Sequence, residues 1–278
     1  MSAKGAAGGG ATDSGARPSG ERVFVPHPGG MADTIGRSIG GHRPVLAGVV
    51  LWLIALVAVG AAMVGLGLLL THILLGAGLG RVEAGWSRWF VLERTPTLNT
   101  VTRIGSDLGS TLVVLAVSAF ATIVLAVRKH WRQIGFLLFG LTLEFALFLV
   151  TVTFVGRHRP TVAHLDAGQP TSSFPSGHTA ASLTLYVGLA IVLYSLLHRG
   201  LVRRFVTVLA VLLPMFVGIS RVYRGMHFAT DVIAGVLLGC GALLFAVLAT
   251  RSEVAASSKR AQRESSQPPA EPPVEAAA

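Results

Sequence analysis

Apolar residues in this chain fall in long uninterrupted runs, not in alternating or one-faced patterns. A membrane-crossing helix needs about 20 consecutive apolar residues. Leu46 to Leu70 meets that length without a single charge, and Leu112 to Val127 meets it when drawn back toward Leu108. Ile134 to Val155 holds one acid, Glu144, and Thr179 to Leu197 and Phe228 to Ala249 also fit. Phe205 to Ile219 is short and contains Pro214, so it needs flanking residues or a kink. The pattern predicts an all-α polytopic membrane protein, a bundle of about six transmembrane helices. Between the first two spans, Arg81 to Ser110 mixes Trp86, Trp89 and Phe90 with Arg88, Glu93 and Arg94. That mixture predicts an amphipathic helix at the membrane interface, with tryptophan at headgroup depth. Gly76, Gly78 and Gly80 imitate a phosphate loop, but no strand precedes them, whereas Gly235, Gly239 and Gly241 fit close helix contact.

Composition agrees with the pattern: 52% of residues are hydrophobic and 13% charged, against about 25% charged in soluble domains. The net charge of +10 does not argue for nucleic acid, because the basic residues cluster in short loops and tails. The single cysteine, Cys240, excludes an intrachain disulfide and reads as a packing residue inside an apolar run. Residues 1–44 and 251–278 are rich in Gly, Ala, Ser and Pro and read as disordered tails. Residues 45–250 form the membrane domain, whose first run reads as a retained anchor.

Basic residues set the orientation. Arg37 and Arg43 precede the first span, and Arg128, Lys129 and Arg132 separate the second from the third. His198, Arg199, Arg203 and Arg204 separate the fourth from the fifth, and Arg251, Lys259, Arg260 and Arg263 follow the sixth. Six spans bring all four groups to one side, which the positive-inside rule makes cytoplasmic. Both termini are then expected in the cytoplasm, and the loops after the third and fifth spans on the outer face.

Those outer loops hold the residues suited to chemistry. Arg157-His158-Arg159-Pro160 ends the third run, Pro175-Ser176-Gly177-His178 opens the fourth, and Ser220-Arg221 leads to His227 and Asp231 at the sixth. His227 and Asp231 are four apart, so a helix places them on one face, where a carboxylate holding one ring nitrogen leaves the other as a nucleophile. That pair alone equally fits a structural hydrogen bond or half a metal site. His178 lies where a helix N-terminus favours an anion; Ser176 caps the helix or donates to phosphate, and Gly177 lets an oxyanion approach the backbone. Arg159 and Arg221 suit bidentate binding of phosphate oxygens and stay charged. These loops hold no acidic cluster of the kind that binds Mg²⁺, so a metal-independent phosphoryl chemistry without a cofactor is expected.

Together the three segments resemble the signature of the type 2 phosphatidic acid phosphatase superfamily, K-x6-RP, PSGH and SR-x5-H-x3-D. The second and third match in full, and the resemblance spans roughly residues 45 to 250. It implies that His227 becomes a phosphohistidine, that Asp231 orients it, and that His178 protonates the leaving alcohol. It also implies that Arg159, Ser176, Gly177 and Arg221 bind the phosphate. The first segment departs from the signature, because Val152 stands where its lysine belongs; Arg157 is a candidate to supply the missing charge. Glu144, an acid in mid-span, reads as an interhelical hydrogen-bonding group.

The expected function is hydrolysis of a membrane lipid phosphate at the outer face of a bacterial inner membrane. An isoprenoid phosphate or diphosphate carrier such as undecaprenyl diphosphate is favoured, and phosphatidic acid or phosphatidylglycerophosphate comes next. The competing readings are a lipid phosphotransferase of the same fold and a phosphate-binding transporter or scaffold without turnover. The expected partners are the lipid substrate and the bilayer; the sequence does not fix an oligomeric state.

Overall fold

The computed structural model describes residues 21–38, 44–167, 171–197 and 200–266. After a short 3₁₀ turn, Glu21–Phe24, come helices α1 (Met31–Ser38) and α2 (Pro44–Leu69). A π-helical stretch, Leu70–Leu79, leads into α3 (Gly80–Leu92). Then follow α4 (Pro96–Leu108), α5 (Thr111–Val127), α6 (Trp131–Val155), α7 (Gly177–Leu196), α8 (Gly200–Tyr223) and α9 (Ala229–Ser265). Five helical segments are long and apolar enough to cross a membrane, and α4 with α5, bent by 50° at their junction, supplies a sixth. The all-α bundle expected from the apolar runs is therefore the fold.

The segment expected at the membrane interface is two helices, not one. The first ends at Leu92, and Thr95 caps the second, accepting from the Leu98 N–H at 3.2 Å, with Pro96 at the first helical position. Trp86 and Trp89 are exposed, while Glu83 and Ser87, four apart and so on one face of α3, are buried. The glycine triplet that imitates a phosphate loop is the bend before this helix: Gly78 adopts φ 110°, a conformation open to glycine, and turns the chain so that α3 faces the bundle.

α9 is the central post, packed by α2, α6 and α7, and α8 in turn packs on α7 and α4. Leu143 and Leu147 of α6, Ala180 of α7 and Leu238 and Ala242 of α9 are fully buried where these helices meet. α7 and α9 touch backbone to backbone. A Cβ on Gly235 would stand 2.6 Å from the Ser176 carbonyl, and one on Gly239 3.0 Å from that of Ala180. This close approach, joined by the Ser176 N–H donating to the Asp231 carbonyl at 2.9 Å, fixes the Pro-Ser-Gly-His turn to the start of α9.

The tails differ from the disordered runs expected over 1–44 and 251–278. Residues 31–38 form α1, and α9 continues well beyond the apolar run to Ser265. The extension buries Ser252, Ala255 and Ala256, and α1 lies against it at Gly36. Arg251 Nε donates to the Val23 carbonyl at 2.9 Å, and Lys259 Nζ to that of Arg37 at 2.8 Å. The composition average joined a helix-forming Ala/Glu/Lys/Arg/Gln segment to the Pro-rich end beyond it, which hid the helix. Residues 1–20, 39–43 and 267–278, and with them Arg43, His198 and Arg199, lie outside the described residues. Cys240 is exposed on the outer face of α9 and is not a packing residue.

Candidate active site

The segments carrying the motif residues meet where α6 ends and α7 and α9 begin. Gly156, at φ 61°, caps α6 and releases the chain into the Arg157–Pro160 loop. The Ser173 N–H donates to the Arg157 carbonyl at 2.8 Å and its hydroxyl to that of His158 at 3.0 Å, so the two ends of the loop between α6 and α7 run side by side. One cavity of about 460 Å³ is lined by Arg159, Gly177, His178, Arg221 and His227, and it extends between α5, α6 and α7. The structure thus brings five residues from three separate segments of the sequence to one cavity.

His227 is buried, and its Nδ1 lies 2.8 Å from the Ser173 carbonyl. A carbonyl only accepts, so Nδ1 carries the proton and Nε2 keeps its lone pair. Nε2 faces Arg159, whose Nη1 is 3.5 Å away and donates to the Met226 carbonyl at 2.7 Å. Burial holds the imidazole below its ordinary pKa, against the pull of the Asp231 charge. The ring therefore stays neutral at pH 7.

The orienting acceptor is the Ser173 carbonyl, not Asp231 as the sequence suggested. The Asp231 carboxylate stops 3.8 Å from Nδ1, with Oδ2 accepting from the Phe228 N–H at 2.9 Å and Oδ1 from Arg157. Arg157 likewise does not supply the missing lysine charge. It is 2% exposed, with one terminal nitrogen on Asp231 and the other on Glu83. Its charge is spent on two carboxylates behind the histidine. The Ser176 hydroxyl is fully buried and pairs with Thr179 Oγ1 at 2.9 Å, so Gly177 and not Ser176 lines the cavity.

Arg221 Nη1 donates to Ser106 Oγ at 2.6 Å and to Asp166 Oδ2 at 2.7 Å. Arg224 grips the other Asp166 oxygen through Nε at 2.8 Å and Nη2 at 2.6 Å. Burial alone would raise the Asp166 pKa, but the Arg224 hydrogen bonds and the Arg221 charge outweigh it and hold the carboxyl below its usual range. Arg159 and Arg221 share one feature. Each ties Nη1 to protein, and neither makes a hydrogen bond through Nε or Nη2 among the described residues. Nε and Nη2 lie on the same edge of a guanidinium, the edge that grips two phosphate oxygens at once.

Glu83, Asp166, Ser106 and Arg224 escaped the sequence reading. The acids stand in polar stretches where charge is ordinary; only the lone Glu83–Ser87 pair on an otherwise aromatic helix carried a signal. Replacing Asp166 with Asn is expected to leave Arg221 loosely held and to lower kcat/KM by about tenfold, near the ~1.5–3 kcal/mol of a hydrogen bond to a charged group. Steady-state phosphate release from detergent-solubilised protein measures it, and an unchanged kcat/KM contradicts it.

The comparisons with known proteins bear on the family and the fold. The PAP2 superfamily model matches residues 133–254, which run from α6 into α9. Phosphatidylglycerophosphatase B of Bacillus subtilis (strain 168) is 34% identical over 161 residues, 55% of this chain and 75% of the relative. The chain belongs to the PAP2 superfamily. A crystal structure of a transmembrane PAP2-type phosphatidylglycerolphosphate phosphatase from Bacillus subtilis superposes with a TM-score of 0.56 at 27% identity. It covers 74% of this chain and 94% of that one. As a PAP2 protein, the chain is an integral-membrane enzyme that hydrolyses lipid phosphates.

Proposed function

We propose that the chain removes phosphate from a membrane lipid through a phosphohistidine on His227. The observation that carries the reading is the lone pair of Nε2 directed at Arg159 while Nδ1 is held by the Ser173 carbonyl. Nε2 attacks phosphorus, the P–N bond forms, and the bond from phosphorus to the lipid oxygen breaks. His178 gives that oxygen its proton, and the lipid alcohol departs. His178 then takes a proton from water, which attacks phosphorus, breaks the P–N bond and releases inorganic phosphate. The free edges of Arg159 and Arg221, with the backbone at Gly177, offset the charge on the phosphoryl oxygens in both steps. Asp231 acts through its charge beside Nδ1, stabilising the ring as it becomes positive.

The substrate that fits best is a glycerophospholipid monoester such as phosphatidylglycerophosphate or phosphatidic acid, the class named for the Bacillus relatives. It stands ahead of the isoprenoid carrier that the sequence favoured, because composition alone supported that order. In this reading residues 45–250 are the catalytic membrane domain, in a bacterial cell membrane, with both termini cytoplasmic and the site at the outer leaflet. Arg128, Lys129 and Arg132, between α5 and α6, lie at the opposite end of α6 from the site loops, which supports that orientation.

Quenching the enzyme in alkaline dodecyl sulfate after mixing with lipid labelled in the phosphate tests the reading. Acid-labile label on the wild-type chain and none on His227→Ala is expected. Lipid binding without an adduct would leave a transporter or scaffold. An adduct resolved by an added alcohol in preference to water would make the chain a phosphotransferase.

A further inference from the structure

Glu144 takes no part in the chemistry above, yet it opens onto the same cavity. It sits on α6 at 5% exposure, and its carboxyl makes no hydrogen bond or ion pair among the described residues. The stretch of cavity wall formed by α5, α6 and α7 is mostly apolar, with Leu115, Leu141, Phe145, Phe148 and Ala181, and the Ser118 hydroxyl of α5 is turned back onto the Leu115 carbonyl at 3.0 Å. A carboxyl left unpartnered among such side chains is costly, and hydrocarbon laid over it would leave it so. The interhelical partner expected for it from the sequence is absent among the described residues.

Its depth indicates what it meets. Phe148 packs against Gly177, next to His178, and marks the level of the phosphate. Glu144 lies one turn further in, about 6 Å along α6, with its side chain leaning toward the helix N-terminus and so away from the phosphate. In a diacylglycerol phosphate the ester carbonyls lie one glycerol unit from the phosphate, a span of about one helical turn, ~5 Å. A prenyl phosphate has only hydrocarbon at that depth. As an acid, a carboxyl donates one hydrogen bond, which an ester carbonyl accepts.

We propose that Glu144 is a specificity-determining residue that hydrogen-bonds an ester carbonyl of a diacylglycerol phosphate and thereby selects it over prenyl phosphates. The proposal rests on the phosphatase reading and adds the group by which the chain cavity recognises its lipid. A site built to pair with a polar group discriminates against the analogue that lacks it.

Phosphate release by the full-length enzyme in detergent tests it, with dioleoyl phosphatidic acid, its diether analogue and undecaprenyl phosphate as substrates. The wild type is expected to turn over the diester with at least tenfold higher kcat/KM than the diether or the prenyl phosphate. Glu144→Leu is expected to lose about tenfold on the diester through KM and to hold or gain on the other two. Glu144→Gln, which still donates, is expected to keep most of the discrimination. A wild type indifferent to ester and ether, or a Glu144→Leu variant whose three values fall by one common factor, would overturn the proposal while leaving the phosphatase reading intact. The ester-to-ether comparison needs no variant, so a Glu144→Leu protein that fails to fold does not shield it. Absence of release from all three lipids would sink the phosphatase reading itself and this proposal with it.

Discussion

His227→Ala is expected to reduce phosphate release by about a thousandfold or more while the protein folds as the wild type does. The imidazole is anchored by the Ser173 carbonyl, and Arg159, which faces Nε2, is held independently by the Met226 carbonyl, so removal of the ring takes out the nucleophile and leaves its neighbours tied. The same geometry sets a pH dependence. Burial lowers the His227 pKa from its ordinary value, so the neutral ring persists as pH falls through about 6.5, where a free histidine is half protonated. Phosphoenzyme formation in a single turnover is therefore expected to continue below that pH and to fail only once the lowered pKa is passed. Full activity in His227→Ala, or an acid limb above pH 6.5 in the single-turnover rate, would contradict the assignment.

The spans and the cavity histidines were legible in the sequence, and their supporting groups were not, for one physical reason. Apolar run length is a property of neighbouring residues, so α2, α6, α7 and the start of α9 could be marked to within a few positions. His178, His227, Arg159 and Arg221 stood out because charged and polar residues at the ends of such runs are conspicuous. Which acceptor holds a ring nitrogen depends on where a backbone carbonyl lies in space, and Ser173 is an unremarkable loop residue in the sequence. Arg157 misled for the same reason. Its neighbours in the chain are loop residues, but its partners are Glu83 of α3 and Asp231 of α9, joined to it only by the fold. The α9 extension was hidden because the residues that bury it, in α1 and the preceding turn, lie more than 200 positions away.

Arg157→Met is expected to destabilise the protein by about 3–5 kcal/mol, the usual result of removing one member of a buried ion pair. Glu83 and Asp231 are 5% and 0% exposed, and Arg157 contributes positive charge to both. Without it two carboxylates remain in the interior, and the Thr230 hydroxyl, which donates to Glu83, offsets only part of that charge. A fall of about 10 °C in the melting temperature in detergent is the corresponding signal. Arg157→Lys is expected to fall between, since an ammonium does not reproduce a planar fork that reaches two carboxylates at once. Adding Glu83→Gln to Arg157→Met removes one of the stranded charges, so the double variant is expected to recover part of the loss. A melting temperature of Arg157→Met equal to that of the wild type would show that the three side chains are not coupled. Activity should fall together with stability, because Asp231 and Thr230 stand at the start of α9 beside His227, and the clamp that holds them joins α3, the loop after α6 and α9 around the nucleophile.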